Sequence, residues 1–213
     1  YNLDLTYGHL FNCAGLQADR VAQFFDVGKR YKIFPFKGKY WQLRETSKLK
    51  FDKNLYPVPD LNVPFLGVHV TPCEDGTIIF GPTAIPAFGR ENYENFSNLE
   101  PMMAFDFISN IAKQYFQNKN GFRKYAEEQA MLGLKPLFLK KAQQIVPKLT
   151  DADLIPSKKV GIRAQLFDKI TEKLVQDFVL DNFLNTTHVL NAISPAFTAS
   201  FALADLIIKK SNL

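Results

Sequence analysis

His9-Leu10-Phe11-Asn12-Cys13-Ala14-Gly15 reads as a short buried strand that ends in a glycine turn. A helix is expected next, because Val21, Phe24 and Phe25 recur at helical spacing behind the polar Asp19 and Arg20. Gly28 suits the stop of that helix. The far end of the chain is similar in kind. His188-Val189-Leu190-Asn191-Ala192-Ile193-Ser194-Pro195-Ala196-Phe197-Thr198-Ala199-Ser200 runs from a buried strand through small residues into a helix expected over 194–210. Two ends of one character imply a single domain, with the middle of the chain inserted into it.

That middle changes pattern. Strands are expected at 31–36, 38–43, 64–70 and 77–80, punctuated by Gly, Pro and Asp. Prolines at 57, 59 and 64 put 55–64 in a loop or on a sheet edge. Helices take over near Ser97, where Ser97-Asn98-Leu99-Glu100 has the form of a capping box. Ala104, Phe105, Ile108, Ile111, Ala112 and Phe116 continue as a helical stripe. Further helices are expected over 121–131 and 136–145, with a short helical start at Thr150-Asp151-Ala152-Asp153. Strands return at 159–167, 174–180 and 187–191. Strands in runs, then helices in runs, indicate an α+β fold and not regular β/α alternation.

The composition suits this reading. Of 213 residues, 46% are hydrophobic and 22% charged, which excludes a disordered tail or a disulfide-stapled miniprotein. The 26 basic residues outnumber the 21 acidic ones but are scattered as pairs, so no nucleic-acid arm is expected. Cys13 and Cys73 lack metal-site spacing and are expected to be buried free thiols in a reducing compartment. No apolar run approaches the roughly 20 residues of a membrane span, and no secretory signal is seen. The chain starts at Tyr1 on a strand-like sequence, so further sequence upstream is expected.

Three stretches carry chemistry. In Gly67-Val68-His69-Val70-Thr71, strand alternation turns Val68 and Val70 to one face and His69 to the other, among small or polar neighbours. His69 suits a general base at a cavity, or simply a hydrogen-bonded histidine on a half-exposed strand. In Gly161-Ile162-Arg163-Ala164-Gln165, Arg163 shares a face with Gln165. Its planar fork suits a carboxylate ligand, or equally an internal ion pair. At 191–200, small residues allow close approach of a ligand to backbone N–H groups at a helix start; Asn191 or Ser194 serves as well as a plain N-cap. There is no Walker loop, HExxH, GxSxG or GxGxxG.

Taken in order, several stretches resemble one family. They are Asn12-Cys13-Ala14-Gly15-Leu16-Gln17-Ala18-Asp19, Pro35-Phe36-Lys37-Gly38-Lys39-Tyr40 and Tyr56-Pro57-Val58-Pro59-Asp60. They continue with Pro64-Phe65-Leu66-Gly67-Val68-His69-Val70-Thr71, Gly81-Pro82-Thr83-Ala84, Arg90-Glu91-Asn92-Tyr93, Gly161 to Gln165, Asp177-Phe178 and His188 to Ser200. Each is weak alone; their joint order is specific. The chain resembles the C-terminal half of the L-2-hydroxyglutarate oxidase/dehydrogenase family, within the D-amino-acid-oxidase-like FAD-dependent oxidoreductases.

The resemblance implies that 1–30 and 168–213 belong to a partial, Rossmann-like FAD-binding domain and 31–167 to a mixed-sheet substrate domain with flanking helices. It implies FAD as cofactor and a small 2-hydroxy acid as substrate, L-2-hydroxyglutarate being oxidised to 2-oxoglutarate with hydride passing to flavin. Ala14, Gly15 and Leu16 would approach FAD, and Ser194, Pro195, Ala196 and Thr198 would line the flavin edge. Arg163 falls where the broader group binds the substrate carboxylate. His69 is the candidate base; Tyr40, Lys37 and Arg90 are lesser candidates for substrate contacts.

The resemblance also implies an N-terminal half with GxGxxG and a ribose-binding acid, absent from this sequence. A separately encoded FAD-binding half is therefore an expected partner. Phe197, where relatives tend to have alanine, is expected to crowd the flavin edge, and Ala204 stands where relatives tend to have glycine. An inactive substrate-domain remnant, or a flavoenzyme for another 2-hydroxy acid, an amino acid or glycerol 3-phosphate, are the alternative readings. The expected location is the cytoplasm, with peripheral inner-membrane contact if quinone is the electron acceptor.

Overall fold

The computed structural model describes residues 4–58, 67–94, 96–118 and 121–211. The chain divides into two compact units: Tyr1–Pro35 with Ala164–Leu213, and Phe36–Arg163. The divisions fall inside two long strands, β2 (Tyr31–Leu43) and β6 (Leu154–Asp168). The architecture is α+β.

In the first unit, β1 (Leu10–Asn12) lies parallel to β9 (Thr186–Asn191), and β8 (Val179–Phe183) pairs antiparallel on the other side of β9. All six residues of β9 are buried, as befits the central strand. A 3-10 turn, Gly15–Gln17, leads from β1 into α1 (Ala18–Gln23). The helix buries its small residues Ala18 and Ala22 against Val27, Ile33, Leu166 and Leu190. Gly28 follows in the left-handed region, where a Cβ would stand 3.0 Å from Leu190 Cδ1, so only glycine turns the chain here without strain. Buried Asp19 accepts the Ile33 N–H at 2.9 Å. Arg30 clamps Asp168 with two hydrogen bonds, of 2.8 and 2.5 Å.

The larger sheet has the order β3-β4-β2-β6-β7, with β5 (Ile85–Pro86) on β2; β3 is His69–Pro72, β4 is Ile78–Gly81 and β7 is Lys173–Leu174. In the second unit α2 (Pro101–Gln117), α3 (Phe122–Met131) and α4 (Lys135–Ala142) follow the strands. Leu43, Val70 and Phe80 from the sheet pack with Phe138 and Ala142 of α4 and with Leu149 and Leu154 to form this unit's core. Burying each large side chain contributes about 1.5–3 kcal/mol relative to leaving it in water.

Several expectations need correcting. The strands expected at 31–36 and 38–43 are one strand. The stretch 174–180 is not a strand throughout: β7 ends at Leu174 and β8 begins at Val179. Residues 64–66 of the expected strand 64–70 and residues 59–64 of the loop 55–64 lie outside the described residues, and the described part of that strand begins at His69. Ser97 to Glu100 is no capping box: Glu100 is the N-cap without a side-chain cap, Pro101 opens the helix, and Glu100 Oε1 accepts the Arg90 N–H instead. Thr150 and Asp153 do form a reciprocal capping box around a 3-10 turn. In α2 the buried residues are Met103 and Phe107, whereas Phe105, Ile108 and Phe116 of the apolar stripe are exposed. The final helix, α5 (Ser200–Lys210), starts later than expected, after a turn over 194–199. The thiols are not buried: Cys13 is exposed and Cys73 half-buried.

Candidate functional site

In the second unit, β3 places His69 opposite to core-facing Val68 and Val70. Its Nδ1 lies 3.1 Å from the Gly67 carbonyl oxygen. A carbonyl only accepts, so Nδ1 carries the proton and Nε2 of the neutral ring is the basic nitrogen. The Tyr56 ring packs on the imidazole at 5.0 Å. Burial lowers the pKa of His69 below the ordinary imidazole value, and the Gly67 hydrogen bond partly opposes this. The ring is therefore neutral near pH 7 and able to take a proton.

His69 is the register partner of Gly81 on β4. The neighbouring antiparallel register, Trp41 to Phe80, sets Tyr40 of β2 opposite the same glycine. Opposed residues share a face, so His69 and Tyr40 flank Gly81 on one side of the sheet, about 10 Å apart by two strand spacings. A Cβ on Gly81 would lie 2.9 Å from both Lys39 O and Tyr40 Cδ1. The missing side chain at Gly81 leaves the room that the Tyr40 ring and the Lys39 carbonyl occupy. Burial, and secondarily Cys73, raises the Tyr40 phenol above its usual pKa, so Tyr40 is a neutral donor.

Arg163, near the end of this unit's part of β6, is half-buried beside Tyr125 of α3. Burial lowers the guanidinium's pKa and Tyr125 opposes; burial likewise raises the Tyr125 phenol. Lys37 is 5% exposed and donates to Asn92 Oδ1 at 2.9 Å and to the Glu94 carbonyl at 3.3 Å. Asn92 in turn donates to Glu94 O and Ser97 O, both at 2.7 Å, so it ties these two carbonyls together beside the ammonium. Arg90 is 2% exposed. A cavity of about 820 Å³ in this unit is lined by Tyr40, Trp41, Thr83, Tyr93, Leu132 and Ser157, among others; His69, Lys37, Arg90 and Arg163 do not line it. The structure thus brings Tyr40 and His69 to one sheet face and puts Lys37 and Arg90 in the interior. That Tyr56 and Tyr125 neighbour His69 and Arg163 is not legible in the sequence. Tyr56 heads one of the quoted motifs, whereas nothing local in the α3 sequence marks Tyr125.

In the first unit, Ala14 and Gly15 are exposed where β1 turns toward α1. Gly15 has φ +54 with nothing within 4 Å of a would-be Cβ. Turn 194–199 is closed by Ala196 N–H to Ile193 O and Ala199 N–H to Pro195 O. Among the described residues, the N–H groups of Phe197 and Thr198 have no backbone acceptor. Thr198 donates its hydroxyl to Pro195 O, and Phe197 is 94% exposed. Neither Asn191 nor Ser194 caps α5, whose N-cap is Ala199. Asn191 instead donates to Asp177 O at 2.6 Å.

The described residues contain no cluster of three or more His, Cys, Asp or Glu able to hold a metal ion, and no helix long and apolar enough to cross a membrane. A family model described as FAD dependent oxidoreductase matches residues 4–210. L-2-hydroxyglutarate dehydrogenase of Indibacter alkaliphilus is 36% identical over 209 residues, covering 93% of this chain and 49% of that protein. The mitochondrial L-2-hydroxyglutarate dehydrogenase of Bos taurus is 36% identical over 205 residues, covering 93% and 43%. The chain therefore spans about half the length of the curated relatives it matches. Among solved structures, a dithionite-reduced L-alpha-glycerophosphate oxidase from Mycoplasma pneumoniae with FAD bound superposes with TM-score 0.56 at 18% identity, over 94% of this chain and 42% of that one. That likeness concerns the fold.

Proposed function

Because the chain belongs to the FAD dependent oxidoreductase family, we propose that it forms part of an enzyme oxidising L-2-hydroxyglutarate to 2-oxoglutarate. The observation that carries the chemistry is the His69 ring, held neutral with its proton on Nδ1 by the Gly67 carbonyl. Oxidation at C2 requires that the hydroxyl proton leave, and Nε2 of His69 receives it. FAD, when bound, supplies the acceptor for the hydride. Arg163 pairs its planar fork with a substrate carboxylate, with Tyr125 beside the guanidinium. Tyr40 donates its phenol to the substrate from the same sheet face as His69. Lys37 and Arg90, both interior, act on the substrate through the residues they bind, Asn92 and Glu94 for Lys37 and Glu100 for Arg90.

The residues present suit FAD. The exposed, open turn at Ala14, Gly15 and Leu16 admits a ligand to the backbone. The turn that holds Ser194, Pro195, Ala196 and Thr198 offers, among the described residues, the Phe197 and Thr198 N–H groups as donors without backbone acceptors, suited to electron-rich ring-edge atoms. The ADP end of FAD is assigned to polypeptide outside these 213 residues, of the GxGxxG kind that this sequence lacks. The substrate is assigned from the named relatives, which act on L-2-hydroxyglutarate. The free thiols suit a reducing compartment such as the cytoplasm.

Rapid-reaction kinetics on the flavin-loaded protein test these roles. His69→Gln is expected to slow flavin reduction by roughly 10²–10⁴-fold with FAD still bound. Arg163→Lys is expected to weaken substrate saturation chiefly, since a lysine lacks the two-pronged fork. Normal reduction in His69→Gln, or unchanged saturation in Arg163→Lys, refutes the corresponding role.

A further inference from the structure

We propose that Asn12 and His188 are positioning residues for the turn at Ala14 and Gly15, and that this turn loosens when His188 takes up a proton. The inference rests on the FAD contact proposed above for the same turn. Its foundation is a chain of buried hydrogen bonds whose protons can all be placed. The Thr186 hydroxyl donates to the Phe183 carbonyl at 2.7 Å. Its oxygen is then an acceptor for His188 Nε2–H at 2.9 Å. A neutral ring with its proton on Nε2 has an accepting Nδ1, which takes one proton of the Asn12 amide at 3.0 Å. The second amide proton goes to the Ala18 carbonyl at 2.8 Å. With its nitrogen fixed twice, Asn12 turns Oδ1 to the Ala14 N–H at 3.2 Å. The carbonyls at the two ends can only accept, so the direction of every link is forced.

A proton on Nδ1 breaks this order. His188 is 0% exposed, so no solvent is at hand to relieve a mismatch. The ring and the Asn12 amide would meet donor to donor. If Asn12 flips to offer Oδ1 to the ring, its amide faces the Ala14 N–H, again donor to donor, and the Ala18 carbonyl loses its partner. Either way the Ala14 hydrogen bond or the Asn12–His188 bond is lost. Each buried group left unsatisfied shifts an equilibrium by a factor of roughly five to a hundred and fifty.

The surroundings of the ring set the range. From β8, Asp181 is the register partner of His188 and favours the charged ring; burial opposes it and prevails, so the ring titrates below ordinary imidazole. From β1 the neighbour is uncharged Asn12, while His9 bonds to Thr187. From α1, Asp19 accepts from the Ile33 and Arg20 N–H groups and Arg20 donates to Gln17. The Phe25 ring, 5.2 Å away, closes the remaining side. The turn is thus held firmly at neutral pH and released on acidification below about pH 6.5, the ordinary imidazole value.

The test is nuclear magnetic resonance of the full chain between pH 7.5 and 5, with FAD affinity measured by flavin fluorescence at each pH. The Ala14 amide shift is expected to move with the same midpoint as the His188 ring, and FAD affinity to fall by about tenfold over that titration. His188→Asn keeps an oxygen acceptor near the position of Nδ1 and cannot titrate, so both responses should be abolished while FAD affinity at pH 7.5 is retained. An Ala14 amide indifferent to the His188 titration overturns the coupling. So does a His188→Asn variant that keeps the full pH dependence. Failure to take up FAD at pH 7.5 with the polypeptide that holds the ADP end also present instead overturns the FAD contact of the turn, whatever the amide shows.

Discussion

Asp168 shows how a buried charge is held at the residue scale. Its carboxylate receives Arg30 Nε and Nη2 and the Thr171 hydroxyl at 2.8 Å, and it also accepts the Ile170 N–H at 3.0 Å. The Arg30 guanidinium holds the carboxyl well below the usual carboxylate range, with Thr171 and the backbone assisting and burial opposing. A depressed acid contributes stability that is fully present above its unfolded pKa, near 4, and is lost as pH falls toward the folded value. Asp168→Asn should therefore lower the melting temperature at pH 7 and flatten its decline between pH 4 and 2. Identical acid profiles for the two proteins would contradict the clamp. Nothing in the local sequence marks this pair, because Arg30 and Asp168 are 138 positions apart. The orientation of His69, by contrast, was legible from alternation alone: Val68 and Val70 had to go inward. Its tautomer was not legible, since the Gly67 carbonyl that decides it belongs to the backbone path.

Among the elements, β4 shows why small residues matter in a sheet. Gly81 has φ +143 and stands where a Cβ would press on Lys39 O and Tyr40 Cδ1. Gly81→Ala is expected to destabilise the protein by roughly 1–3 kcal/mol, read as a lower urea midpoint. It should also shift the Tyr40 and His69 ring resonances together. An unchanged midpoint would mean the strand pair is looser than described. Elements with a clear period were readable: the short strand within His9–Gly15, the alternation around His69 and the existence of the helix through Phe105 and Phe116, although that helix buries Met103 and Phe107 and not the expected stripe. Their ends were less so. Ser97 to Glu100 has the letters of a capping box, but Pro101 opens the helix and Glu100 is drawn to the Arg90 N–H, a competitor that spacing does not reveal. The final helix starts at Ser200 because the preceding residues close turns of their own, through Ala196 N–H to Ile193 O and Ala199 N–H to Pro195 O.

For the whole molecule, two compact units each bury their own apolar cluster, and the order of strands and helices already indicated an α+β fold. The placement of the candidate site was only partly legible. Tyr40 and His69 share a face because a single glycine lies between them across three strands, a relation fixed by pairing register and not by sequence distance. Lys37 and Arg90 carry charges suited to a dicarboxylate, yet the fold draws both inside. The claim that binds these observations together is flavin-dependent oxidation of one enantiomer of a 2-hydroxy dicarboxylate. Its most direct test is anaerobic titration of the flavin-loaded protein while the flavin's visible absorbance is followed. L-2-hydroxyglutarate is expected to bleach the flavin and the D enantiomer to leave it oxidised. A flavin that stays oxidised with the L enantiomer, or bleaches equally with both, would contradict it.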